Sequence, residues 1–169
     1  MIFVNVVKKL LKNNFEVIKF LFIFLLIVLD YLSKKIIFIA VDLNAFIYIT
    51  SFFDITHIHN YGISFGLLSG LYAAWVFIII SLLITIFITF MYLQAKNNLE
   101  KWGLVFIIAG GLSNIADRAI NGFVIDFIYF HYEEFYWPAF NFADIYISIG
   151  IIIIVIKILY DFQNRILNK

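Results

Sequence analysis

The sequence contains no cysteine. Disulfides, thiol nucleophiles and thiolate metal sites are therefore excluded. One proline and eight glycines in 169 residues leave little room for linkers. Only 14% of the residues are charged; the net charge of +1 is uninformative where the placement of charge is not, and no nucleic-acid partner is expected. The HExxH pattern of zinc peptidases is absent, and Ser69 lacks the GxSG context of an intramembrane serine protease.

Apolar residues fill the space that charge leaves. The chain is 64% hydrophobic and 20% aromatic, with a mean hydropathy of +1.03. Soluble domains are roughly 45–50% apolar. The composition predicts a single integral membrane domain over 1–169. A helix needs about 20 apolar residues to cross the hydrocarbon. Four segments qualify: Glu16 to Ile39, Leu71 to Leu93, Trp102 to Ile120 and Ala139 to Tyr160. The first is read as a helix rather than a signal peptide. Its leader is long, the apolar run continues past Asp30, and no small-residue cleavage site follows.

Lysine and arginine set the orientation. Lys8, Lys9, Lys12 and Lys19 precede or open the first span, Lys96 and Lys101 separate the second and third, and Lys157, Arg165 and Lys169 close the chain. Four spans place all of these on one side, which is therefore cytoplasmic, with both termini. Only Lys34, Lys35 and Arg118 lie toward the other face. Most of the acids lie there too, as do His57, His59 and His131. The inner halves of the spans read as almost purely apolar. Two loops remain outside. Asn44 to Phe53 and the run GFVIDFIYF are rich in β-branched and aromatic residues. Non-helical backbone near lipid must pair within the protein. A small β-rich cradle at the outer surface is expected.

One polar layer stands out between Gly110 and Asp144. On the third helix, Asn114, Asp117 and Arg118 share a face with Gly110. Gly110 and Gly111 allow a neighbouring helix to approach closely. On the fourth, Asn141, Asp144 and Ser148 recur at three and four, after Pro138 near the helix start. On the first, Asp30 and Lys34 form an acid-before-base pair. Ionisable residues at membrane depth are costly and mark function by default.

The layer is rich in carboxylates. Two aspartates close together share a proton. The ionised one can then accept a proton from water, while the protonated one polarises a carbonyl and later protonates the leaving amine. The candidates are Asp117, Asp126 and Asp144. Asp117 is expected to pair with its neighbour Arg118. Asp126 and Asp144 come from different elements and can converge. Spacing alone leaves a catalytic pair and a structural polar layer open as alternatives. His57-x-His59 with Asp54 is a weak metal pattern, and no metal or other cofactor is expected.

These motifs resemble those of lipoprotein signal peptidases, also called signal peptidase II. DYLSK (Asp30 to Lys34) is similar to the family's D-x-x-x-K. NYGISFG (Asn60 to Gly66) is similar to N-x-G-x-x-F. GGLSNIADR followed by VIDF is similar to G-N-x-x-D-R … V-x-D-F, and FNFADIYISIG is similar to F-N-x-A-D. The four motifs occur in order across nearly the whole chain.

The resemblance implies a membrane α-helical fold and an aspartic endopeptidase of the bacterial cytoplasmic (inner) membrane. Its active site would face outward. It would cut prolipoproteins just before a diacylglyceryl-modified cysteine, among membrane lipids, and would bind globomycin-type cyclic peptides. The resemblance assigns catalysis to Asp126 and Asp144. It assigns substrate contacts to Asn60, Gly62, Asn114, Arg118 and Asn141, and support to Asp30, Lys34 and Asp117. One departure is Ser113, where the family usually has glycine. Serine is small enough to preserve close helix approach. The rival classes are a small transporter, which needs polar groups on both sides of the midplane, and a non-catalytic scaffold.

Overall fold

A computed structural model describes residues 2–62 and 73–167, with side chains from residue 14 onward. Its elements run α1 (Ile2–Ala40), β1 (Phe46–Thr50), β2 (Phe53–Asn60), α2 (Ala74–Gln94), α3 (Asn98–Asn121), β3 (Val124–Tyr132), β4 (Phe135–Tyr136) and α4 (Phe142–Leu167). The strands form one antiparallel sheet in the order β1-β2-β3-β4. The expected cradle is thus a four-stranded sheet: β1 and most of β3 fall in the two runs rich in β-branched and aromatic residues, and β2 and β4 follow just beyond them.

Helix α3 is the centre of the bundle and packs on α1, α2 and α4. Gly103, Leu104, Val105, Ile108, Ala109 and Gly110 bury one side of it. In contrast, α2 buries only Phe77 and Thr85, and α4 only Ala143 and Gly150. Helices apolar around their whole circumference suit a lipid environment. α2, α3 and α4 are long and apolar enough to cross a membrane. α1 is long enough as well, but Glu16, Lys19, Asp30, Lys34 and Lys35 interrupt its apolar run.

The element ends differ from the sequence reading for identifiable reasons. α1 begins at Ile2 rather than near Glu16, and α4 continues to Leu167. α3 begins at Asn98, where the Asn97 side chain accepts from the amides of Leu99 and Glu100. It ends at Gly122, whose φ of 82° is the left-handed cap conformation that glycine adopts without strain. α4 starts at Phe142, three residues later than Ala139, so Pro138 still precedes the helix but stands further from its start. The residues between them serve the sheet instead. The Phe140 carbonyl accepts from the Phe127 and Ile128 amides, and its N–H donates to Ile128. Leu71, the expected start of the second span, lies outside the described residues, as do Phe65, Gly66 and Ser69.

Gly110 carries the α3–α4 contact. A Cβ there would stand 2.3 Å from the Ala143 carbonyl oxygen. Gly111 makes room for Thr85 of α2 in the same way. Gly110→Ala is therefore expected to force α4 away from α3, at a cost of about 1–3 kcal/mol. Because Asp144 directly follows Ala143 on α4, the same shift would displace its carboxylate as the melting temperature falls. Thermal melting in detergent checks this, and an unchanged melting point would contradict the close-packing account.

The apolar reading of the inner halves needs correction. At the end of the bundle remote from the sheet, Lys19 is 2% exposed. It pairs with Glu16 at 3.7 Å and lies over the Trp102 ring. Glu16 also accepts from Tyr92 and from Lys101. Three helices are thereby tied through one glutamate, a connection that hydropathy along a single chain cannot show.

Candidate active site

The sheet and three helices meet at one polar cluster. The sequence places its members on separate elements, and the structure brings them together: Asp30, Lys34, Asn60, Gly62, Asn114, Asp117, Arg118, Asp126, Asn141 and Asp144.

Its frame is the start of α4. Asn141 precedes the helix and Asp144 lies in its first turn. The Asn141 Oδ1 accepts from the Asp144 N–H at 3.1 Å, and Asp144 Oδ2 accepts from the Asn141 N–H at 3.2 Å. This reciprocal pair is a capping box. It fixes the Asp144 side chain at the helix N-terminus, where the backbone dipole favours negative charge. The Asn141 amide, its Oδ1 already engaged, donates through Nδ2 to Asp126 Oδ1 at 2.6 Å. One asparagine thus touches both carboxylates. The next free amide of the helix, Ala143 N–H, donates to Asp30 Oδ1 of α1 at 2.9 Å.

Asp126 comes from β3. It is buried and also accepts from Asn60 Nδ2 of β2 at 2.9 Å. Asn60 is oriented by its own turn, since its Oδ1 accepts from the Gly62 N–H at 2.9 Å. Arg118 holds that turn from below, donating to the Gly62 carbonyl at 2.6 Å. Asn60, Gly62 and Arg118 therefore act together to present one amide to Asp126.

Asp144 is reached from α3. Asn114 Nδ2 donates to its Oδ1 at 3.0 Å. Lys34 Nζ donates to the Asn114 Oδ1 at 3.0 Å, which fixes that amide's orientation. Lys34 also pairs with Asp30 at 2.8 Å and with Asp117 at 3.1 Å. The Asp30–Lys34 pair is therefore present as expected, but buried inside a triad rather than exposed at a helix end.

The expected Asp117–Arg118 pair is not the arrangement found. Asp117 faces Lys34, the Asn121 side chain and the Ile125 N–H. Arg118 faces the carbonyls of Gly62 and Asn114. Adjacent helical residues point about 100° apart, so each meets a different neighbour. Asp117 thereby anchors the start of β3 one residue before Asp126. Ser113 is buried beside this face, and its hydroxyl has no hydrogen-bond partner among the described residues. Ser148, expected on the same face, bonds the Asp144 carbonyl and stays exposed.

Burial, together with the nearby Asp144 carboxylate, raises the Asp126 carboxyl from its ordinary 3.8 to about 7. The Asn60 and Asn141 amides pull against that rise. A carboxyl poised near neutrality can hold a proton at physiological pH and release it readily. The three histidines make their side-chain contacts elsewhere than on Asp126 and Asp144. Asp54 pairs with His131 at 3.2 Å rather than with His57 or His59. His57 Nδ1 meets the Val41 carbonyl at 2.7 Å, and its Nε2 meets His59 Nε2 at 3.0 Å. Among the described residues no three acidic or histidine side chains form a metal-holding group.

The capping box was legible in the sequence as Asn141-x-x-Asp144, but a helix start near Ala139 hides it. Asn121, which donates to Asp117, carries no sequence signal beyond lying four residues after it.

A family model described as signal peptidase (SPase) II matches residues 22–160. The lipoprotein signal peptidase of Thermodesulfovibrio yellowstonii is 39% identical over 135 residues, covering 80% of this chain and 90% of its own length. That of Pseudoalteromonas atlantica is 36% identical over 142 residues, covering 82% and 85%. A solved structure described as a bacterial membrane enzyme superposes with a TM-score of 0.79 at 30% identity, covering 86% of this chain and 90% of the other.

Proposed function

The chain belongs to the signal peptidase II family, and we propose that it removes the signal peptide from prolipoproteins as an aspartic endopeptidase with Asp126 and Asp144 as its catalytic pair. The observation that carries this reading is the joint hold of Asn141 on both carboxylates. Two aspartates from different elements, Asp126 buried and Asp144 half-buried, held together by one asparagine, share one proton. The ionised carboxylate takes a proton from the attacking water. The protonated one donates to the scissile carbonyl, and the same proton inventory then protonates the leaving amine.

The cleaved bond precedes the diacylglyceryl-modified cysteine in this reading. A lipid anchor would hold that bond at the end of the helices where the sheet begins. We read the chain as one membrane domain with α1 as a fourth span. Asp30, Lys34 and Lys19 on α1 are all buried against the protein, which removes them from lipid. The lysine pattern then places both termini in the cytoplasm and the dyad at the outer face of the cytoplasmic membrane. Globomycin-type peptides would occupy the same cleft.

The test is cleavage of a purified diacylglyceryl-modified prolipoprotein, followed by gel shift with and without globomycin. Globomycin-sensitive loss of the signal peptide is expected. A folded preparation that leaves the substrate intact would sink the peptidase reading.

The pH dependence follows from Asp126. Its carboxyl is raised from 3.8 to about 7. Above that value the pair loses its last proton, and the rate should fall about tenfold per pH unit. The stability sign is the same. A raised acid pKa contributes stability that is fully present below about 3.8 and lost as pH rises through about 7. Melting temperature should decline across that window, less steeply in Asp126→Asn. A rate still rising at pH 9 would contradict the shared proton.

A further inference from the structure

The strand that carries Asp126 continues past the site. The register shift between Ile55 and Ile58 lies in β2, so β3 itself alternates regularly. Asp126, Ile128, Phe130 and Tyr132 therefore share one face. Along that face burial gives way to exposure. Asp126 is 3% exposed and Ile128 9%, whereas Phe130 is 40% and Tyr132 69%. The open end forms a cavity of about 380 Å³ walled by Phe52, Phe130, His131, Tyr132, Phe135, Trp137 and Phe140, with His131 itself paired to Asp54. Four strand steps, about 13 Å, separate Asp126 from Phe130. An extended peptide covers that distance in the same number of residues.

Charge indicates what the cavity takes. Glu133 and Glu134 form the exposed turn between Tyr132 and Phe135, two of its walls. No lysine or arginine occurs between Lys35 and Lys96, or between Arg118 and Lys157. Lys34 and Arg118 are themselves buried in the site. Aromatic walls next to a turn that carries two exposed glutamates suit a cation on an alkyl stem, which packs on the rings while its head reaches toward the acids.

Direction indicates which part of a substrate reaches it. β3 begins just after α3 ends and leads away from that helix terminus. The apolar signal segment belongs beside the helices. The chain on the other side of the cleaved bond is then the part that follows the sheet outward.

We propose that this cavity is a subsite for a lysine or arginine side chain about four residues into the mature segment of the substrate. The proposal rests on the peptidase reading and adds a sequence preference to it. The test compares diacylglyceryl-modified substrates carrying Lys, Gln or Leu at that position. KM is expected to be about fivefold lower for Lys than for Gln at similar kcat. In E133Q/E134Q that ratio should collapse toward one. Equal KM for Lys and Gln would overturn the subsite, and a Leu preference that survives E133Q/E134Q would assign the cavity to an apolar side chain instead. Calorimetric titration of the full protein with short mature-segment peptides, which have no scissile bond, reads the cavity independently of catalysis. Tighter binding of the Lys peptide than the Gln peptide supports the subsite even if no substrate is cut. Equal binding overturns it even if every substrate is cut.

Discussion

Asp126→Asn and Asp144→Asn should each lower the cleavage rate by on the order of 10³-fold or more, because each removes one half of the proton exchange on which hydrolysis depends. Neither should unfold the protein. Both oxygens of Asp126 accept from amides, of Asn60 and of Asn141. Asparagine would turn one acceptor into a donor facing an N–H, a mismatch worth about 1–3 kcal/mol. It would also remove a carboxyl that burial holds away from its charged form, which offsets part of that cost. The same logic applies to Asp144 between Asn114 and the Asn141 amide. Gel-shift cleavage and thermal melting on the same preparations separate the two effects. Near-normal cleavage by either folded variant would remove that residue from the chemistry. Collapse of folding in both would favour a scaffold role for the polar layer.

Lys34→Met should be the most destabilising single change in the cluster. Lys34 is buried and pairs with Asp30 and Asp117 while orienting Asn114. Its loss leaves two buried carboxylates without a cation, a cost of about 3–5 kcal/mol. Three consequences should appear together. The tie between α1 and α3 weakens, the Asp30 cap on α4 loses its counterion, and the Asn114 amide is free to turn away from Asp144. Melting temperature and cleavage should therefore both fall. Adding Asp117→Asn to Lys34→Met should recover part of the stability but not the rate, since one uncompensated charge goes while Asn114 remains unfixed. A Lys34→Met variant within about 1 kcal/mol of wild type would show that the triad is not coupled as its geometry indicates.

Much of this protein is determined by order along the chain. Length and hydropathy give its apolar helices, because a span is a local property of about 20 residues. β-Branched and aromatic runs give β1 and β3, and the cradle follows from the need to pair backbone near lipid. The i,i+4 pair of Asp30 and Lys34 and the shared face of Asn114, Asp117 and Arg118 follow from helical periodicity. The motifs that carry the family likeness single out Asp126 and Asp144.

Partner choice across elements was decided only by tertiary structure. Asp117 and Arg118 are neighbours in sequence, yet α3 turns one toward Lys34 and the other toward Gly62. Lys19 reads as a flanking charge, yet packing on Trp102 and pairing with Glu16 bury it. Ala139 reads as helix, yet the neighbouring Phe140 spends its backbone hydrogen bonds on β3 and delays α4 to Phe142. That delay makes Asn141 a cap and lets it reach both carboxylates. Periodicity fixes which residues share a face. Which face meets which depends on how whole helices and strands satisfy one another's buried polar groups, and that is settled only when they pack.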